Sequence, residues 1–390
     1  MRRPRILFCV HDDRGLGHLV RLSRVAAALQ GDCACLLVTG HRAASWIVPE
    51  GCEFVHLPSL DSLLQKRAAY WGRRPFVDIH PDHASRFRSQ LILAVVKEFA
   101  PDVIIIDHLA LGRHGELSAA LNSSHARKYL LLRGVIDRPS KAMREVFPPE
   151  SLRVINNTFS RILVACDPEI CRIENEYLNG DPNVVPKIHY VGYVAPTFSI
   201  EVRRAMRRRR GVDGSAWVVC SAGGGMESEE LIETCHRLAQ NFPGVAFDFV
   251  YGPRSRHRDI GLLVSKIGNF RSWRSCRSLP LFHAAADVVI CRGGYNSLME
   301  VAAGNAKTIC VPLTLSDDKE QCIHATRLAR WLPMHVSRGD PEEMASVLTE
   351  IVQAGMGYSA RPWQRTCGLD FSGVENIRRL VIQDLAGAMG

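Results

Sequence analysis

His18 ends the run HDDRGLGH at residues 11–18, directly before an apolar helical pattern. Attack of a hydroxyl on an anomeric carbon needs a proton acceptor that works near neutral pH, and histidine is the side chain whose ordinary pKa allows it. His18 is therefore the leading candidate for a general base. Such a base is usually oriented by a carboxylate. Asp107, at the end of the apolar run VIIID, is the first choice, with Asp12 and Asp13 as rivals much closer in sequence. A second constellation lies at residues 286–325. Glu300 can accept two hydrogen bonds from a ribose diol; Gly293 and Gly294 let backbone approach a ligand; and a helix starting near Asn296 or Ser297 turns its first N–H groups toward a phosphate. Asp317, Asp318, Lys319, Glu320 and Gln321 offer partners for sugar hydroxyls.

These residues need elements to hold them. In the run Asp287–Cys291 four apolar residues follow the aspartate, the mark of a parallel strand covered on both faces, and a second apolar run ends at Pro312. Residues 5–10 form another strand, followed by the loop carrying Gly15, Gly17 and His18, then a helical pattern with Leu22, Val25, Ala26 and Leu29 on one face. Strand, glycine loop and helix also describe a dinucleotide-binding start. The third glycine of that fingerprint is missing, and the strand at residues 35–38 runs into Thr39-Gly40 without the acidic residue a ribose would need. A third unit begins at Val218 and enters Gly223, Gly224 and Gly225, whose amides can wrap anionic oxygens. It lacks the Gly-Lys-Ser/Thr ending of a Walker loop.

Residues 286–325 resemble the C-terminal nucleotide-sugar domain of GT-B glycosyltransferases. The resemblance is in particular to the glycosyltransferase family 28 group that contains the peptidoglycan N-acetylglucosaminyltransferase acting on a lipid intermediate. The resemblance implies that Glu300 binds the ribose and that Glu320 and Gln321, matching a Gln-Gln or Glu-Gln pair, contact the donor sugar; His324 stands where that family usually has Asn. The LGxGHL-type loop is similar to that of predicted bacterial glycosyltransferases, in which its histidine faces the acceptor. By the same resemblance residues 223–225 touch the diphosphate or the acceptor side. The leaving diphosphate is expected to rest on glycine-loop amides, a helix start, Arg292 and Ser297. UDP is the implied nucleotide.

The expected fold is α/β of the GT-B type, two Rossmann-like domains whose parallel sheets face each other across a cleft. The acceptor domain is expected at residues 1–191, a connection at 192–215 and the donor domain at 216–372. The run Tyr190-Val191-Gly192-Tyr193 resembles the segment that closes the first domain of this fold, and a helix at 373–386 is expected to cross back onto that domain. At 390 residues the chain suffices for two such domains, and 46% hydrophobic with 23% charged residues are globular values.

No D-x-D motif is present, and the adjacent pairs Asp12-Asp13 and Asp317-Asp318 would diverge on extended backbone, so no metal and no cofactor beyond the nucleotide sugar are expected. The thirteen cysteines include no C-x-x-C pair, and many sit inside apolar strands, as in a reducing compartment. With no apolar run of the ~20 residues a bilayer requires, and a start MRRPRILFCV that runs into strand and loop, a cytoplasmic location is expected. A net charge of +9 suits an anionic donor. The segment at residues 66–76, which interleaves cations and aromatics, fits an acceptor-side loop or peripheral contact with the inner face of a membrane; no nucleic-acid motif accompanies it. The activity expected is an inverting, metal-independent transfer of a sugar such as an N-acetylhexosamine to a small molecule, natural product or glycan. A non-hydrolysing nucleotide-sugar 2-epimerase and a non-catalytic nucleotide-sugar-binding subunit are the alternatives; the first would convert donor without acceptor, the second would bind it without turnover.

Overall fold

A computed structural model of the chain describes residues 2–11, 15–58, 81–224, 229–252, 268–313, 318–355 and 361–387. Asp12, Asp13, Gly225, Asp317 and the basic aromatic segment 66–76 lie outside the described residues. The chain divides into two compact units, residues 1–194 with 370–390, and residues 195–369.

Among the described residues the first unit holds seven strands: β1 (Arg5–Cys9), β2 (Ala34–Thr39), β3 (Glu53–His56), β4 (Val103–Asp107), β5 (Arg127–Arg133), β6 (Arg161–Ala165) and β7 (Ile188–Tyr190). All pair in parallel, in the order β3-β2-β1-β4-β5-β6-β7. Every residue of β4 is buried, as a strand covered on both faces requires. Strand order reverses between β1 and β4, which is where an open α/β sheet leaves a crevice beyond its carboxyl ends.

Helix Gly373–Ala386 belongs to this unit. Ile377, Val381 and Leu385, spaced by four, are its buried stripe, and it packs against helix Gly17–Leu29. Full burial of such a side chain contributes roughly 1.5–3 kcal/mol. Asp384 fixes the far end of the helix, accepting from the Tyr129 hydroxyl and from Arg161 Nε and Nη2, the latter two at 2.7 Å. At the near end Tyr193 N–H donates to Asp370 O at 2.8 Å and Gly373 N–H to Tyr193 O at 3.1 Å. Backbones are close enough there that a Cβ on Gly373 would lie 2.4 Å from Gly192 O.

Among the described residues the second unit has six strands: β8 (Trp217–Ser221), β9 (Ala246–Val250), β10 (Phe270–Trp273), β11 (Val288–Cys291), β12 (Lys307–Cys310) and β13 (Met334–Val336). They too are parallel, in the order β10-β9-β8-β11-β12-β13, and the order reverses between β8 and β11. Residues 192–215 differ from a plain connection. Residues 192–194 lie in the first unit, and 195–215 in the second, where they carry helix Ile200–Arg210. Its run of arginines reads as a solvated face. Arg203, Met206 and Arg207 are nevertheless buried, because the Arg207 guanidinium donates to Ala285 O at 2.9 Å, Ser215 O at 2.7 Å and Asp287 Oδ2 at 3.1 Å. A guanidinium whose donors are matched by carbonyls and a carboxylate can enter a core that a lone charge cannot.

Candidate active site

The first cluster forms at the β1/β4 reversal. Gly15 and Leu16 lead into helix Gly17–Leu29, on which His18 and Arg21 are three apart and share a face. Both are buried, and both reach Asp107, the last residue of β4. His18 Nδ1 lies 2.6 Å from Asp107 Oδ2, and Arg21 donates to Asp107 Oδ1. Burial alone would raise the Asp107 carboxyl; Arg21 and His18 outweigh it and hold the group well below the usual carboxylate range. An ionised carboxylate only accepts, so Nδ1 of His18 carries the proton and Nε2 is the basic nitrogen. Burial, reinforced by Arg133 and His11 and only partly opposed by Asp107, lowers His18 from the ordinary 6.5 to about 4. At neutral pH the imidazole is thus uncharged and able to accept.

Two further histidines surround it. The ring of His11 lies 4.9 Å from that of His18, and His108 stands 5.2 Å from each. His108 follows Asp107 directly in left-handed backbone at φ 68°, a conformation a non-glycine residue keeps only when its surroundings hold it there; its N–H donates to Leu131 O at 3.0 Å. Burial, then Arg133 and the neighbouring histidines, push His108 well below the usual imidazole range. Gly15 has no left-handed backbone, and a Cβ there would meet only Gly17 N at 3.8 Å.

The second cluster forms at the β8/β11 reversal. Ser221 ends β8 opposite Cys291, the end of β11. Gly223 adopts φ 67° in the turn after β8. After β11 come Arg292, Gly293 and Gly294, and helix Tyr295–Ala302 opens with Gly294 as an N-cap that supplies no side-chain bond. Asn296 and Ser297, both half-buried, lie in its first turn, which begins at Tyr295, slightly before the expected start. Amides at such an end, with the helix dipole behind them, favour an anion. Glu300 lies on the same helix and is buried. Gly293 is set by packing: a Cβ there would be 2.9 Å from Gln321 O.

Residues 275–356 match the family model described as the glycosyltransferase family 28 C-terminal domain. The chain has the GT-B fold. Among solved structures it is similar to CalG4, the calicheamicin glycosyltransferase (14% identity, 99% of either chain covered, TM-score 0.62). It is also similar to UGT2 of Phytolacca americana, complexed with UDP-2-fluoro-glucose and pterostilbene (16%, 97% of this chain and 94% of that one, 0.60). MurG of Acinetobacter baumannii is a third such fold (12%, 98% and 100%, 0.59). At these identities the likeness is one of fold. No curated protein sequence matches the chain.

Within this fold, the structure brings His18 to Asp107, and it places Gly223, Gly224, Gly293, Gly294, Asn296, Ser297 and Glu300 around the β8/β11 reversal. Three residues called for ligand contact also have protein partners. Arg292 is buried and donates to Val311 O at 3.3 Å; Gln321 Oε1 accepts from Leu313 N–H at 3.1 Å; and the N–H of Glu320 donates to Asp318 Oδ1 at 3.1 Å. His324, in the usual Asn position, stacks on Tyr295 with ring centroids 5.9 Å apart. Arg21, Arg133, His11 and His108 were missed. His108 carried a signal, standing next to a carboxylate at a strand end; His11 and Arg133 carried none, because only the sheet brings them to His18. Among the described residues no group of three or more His, Cys, Asp or Glu is arranged to hold a metal ion, and no helix is long and apolar enough to cross a membrane.

Proposed function

We propose that the protein is an inverting, metal-independent transferase that moves a sugar from a UDP-linked donor to an acceptor hydroxyl. The observation that carries this reading is the buried His18–Asp107 contact of 2.6 Å at the reversal point of the first sheet. The acceptor oxygen attacks the anomeric carbon from the face opposite the leaving group. The new C–O bond forms as the bond to the diphosphate breaks, and the hydroxyl proton passes to His18 Nε2. Asp107 keeps the imidazole in the right tautomer and stabilises the charge it gains. On the second unit, amides of residues 223–224 and the start of helix Tyr295–Ala302 hold the diphosphate, Glu300 the ribose diol, and Glu320 with Gln321 the sugar. A similar fold crystallised with UDP-2-fluoro-glucose supports UDP as the nucleotide, and pterostilbene beside it, with the calicheamicin enzyme, supports an acceptor of natural-product type. An N-acetylhexosamine follows from the family 28 likeness.

His18→Gln is expected to lower turnover by about 10²–10⁴-fold, the usual contribution of a positioned base, while UDP binding measured by calorimetry stays at the wild-type value. Turnover within a few fold of wild type would remove His18 from this role. Activity in EDTA is expected to equal that without it; loss restored by magnesium would contradict the mechanism.

A further inference from the structure

Glu300 is itself held by a side chain that no motif marks. His283, on helix Leu279–Ala285, is fully buried; its Nδ1 lies 3.1 Å from Glu300 Oε2 and its Nε2 3.0 Å from Ser221 Oγ. We propose that His283 is a positioning residue of the donor site, fixing the ribose carboxylate of Glu300 and tying it to the end of β8 through Ser221. The inference rests on the proposed donor site. A carboxylate only accepts, so Nδ1 donates to Oε2, and the Ser221 hydroxyl donates to Nε2. Both ring nitrogens are matched, so a rotated ring would strand buried polar groups. A glutamate side chain has three rotatable torsions. Anchoring one oxygen removes freedom that ligand binding would otherwise have to freeze, which is preorganisation. A carboxylate offers about four lone-pair sites, and the bond to His283 takes up one of them. The relay joins the end of β8 to the helix after β11, the two elements that flank the strand-order reversal.

The test is calorimetry on the full chain with UDP and 2′,3′-dideoxy-UDP. Hydrogen bonds to a charged group should make wild type prefer UDP by about tenfold or more. His283→Leu is expected to weaken UDP to near the dideoxy value and leave the dideoxy ligand within about twofold, whereas His283→Asn, which keeps a donor near the Nδ1 position, recovers most of the preference. Ser221→Ala should act in the same sense, more weakly. Weakening of both ligands alike, or an unchanged preference in His283→Leu, overturns the positioning role. Should His283→Leu not fold, Ser221→Ala decides: a reduced preference supports the relay and an unchanged one overturns it. Glu300→Ala separates the two readings. Loss of preference there with preference kept in His283→Leu sinks only the relay; preference kept in Glu300→Ala, or absent in wild type, sinks the donor site and the relay with it.

Discussion

An imidazole brought down to about 4 is a weak base that never needs to be deprotonated at neutral pH. If His18 is the base, the acid limb of kcat/KM should fall near pH 4 rather than near the ordinary 6.5, and a pH profile of the wild type measures this. The same shift bears on stability. Folding favours the neutral ring, so the unfolded chain binds more protons below the unfolded pKa. His18 therefore contributes stability above about 6.5 that is lost as pH falls toward about 4, on the order of 3 kcal/mol. His108 acts in the same sense, and Asp107 only in more acidic solution, below the ordinary carboxylate value. In urea titrations at pH 7 and pH 4.5, His18→Gln should lose part of the wild-type difference; an unchanged difference would mean the ring is not buried as described.

At the scale of elements, the strand, turn and helix order was legible because parallel strands announce themselves as continuous apolar runs, and glycines mark the turns at their ends. His18 and Asp107 could be paired on paper for the same reason: both follow strands at the edge where such sheets bind ligands. His283 could not. A histidine in the run PLFHAAA reads as part of a buried helix face, and its two partners, Ser221 and Glu300, become neighbours only through tertiary folding. Helix Ile200–Arg210 defeated composition in another way, since Asp287, which lets Arg207 be buried, is 80 residues away. Glycine roles were also mixed. Gly373 is a packing requirement, and Gly373→Ala should cost about 1–3 kcal/mol, because the atoms in its way are backbone and cannot swing aside. Thermal unfolding would report it, and a melting temperature equal to wild type would contradict the crossing of Gly192 and Gly373.

At the scale of the molecule, the proposed transfer needs one surface for the donor and one for the acceptor, and the chain divides into two compact units. The second unit is a single run, residues 195–369, and the first is not. A fragment of residues 195–369 should therefore fold and be stabilised by UDP in a thermal-shift assay. Deleting 370–390 should instead leave the first unit without the helix that buries Ile377 and Val381, and raise its susceptibility to proteolysis. Equal protease resistance of the deleted and complete chains would show that helix to be dispensable. The split has a consequence for synthesis on the ribosome. The first unit begins first and is completed last, because Asp384 must emerge before Tyr129 and Arg161 gain their partner. The second unit, wholly made before then, can mature while the first still waits for helix Gly373–Ala386.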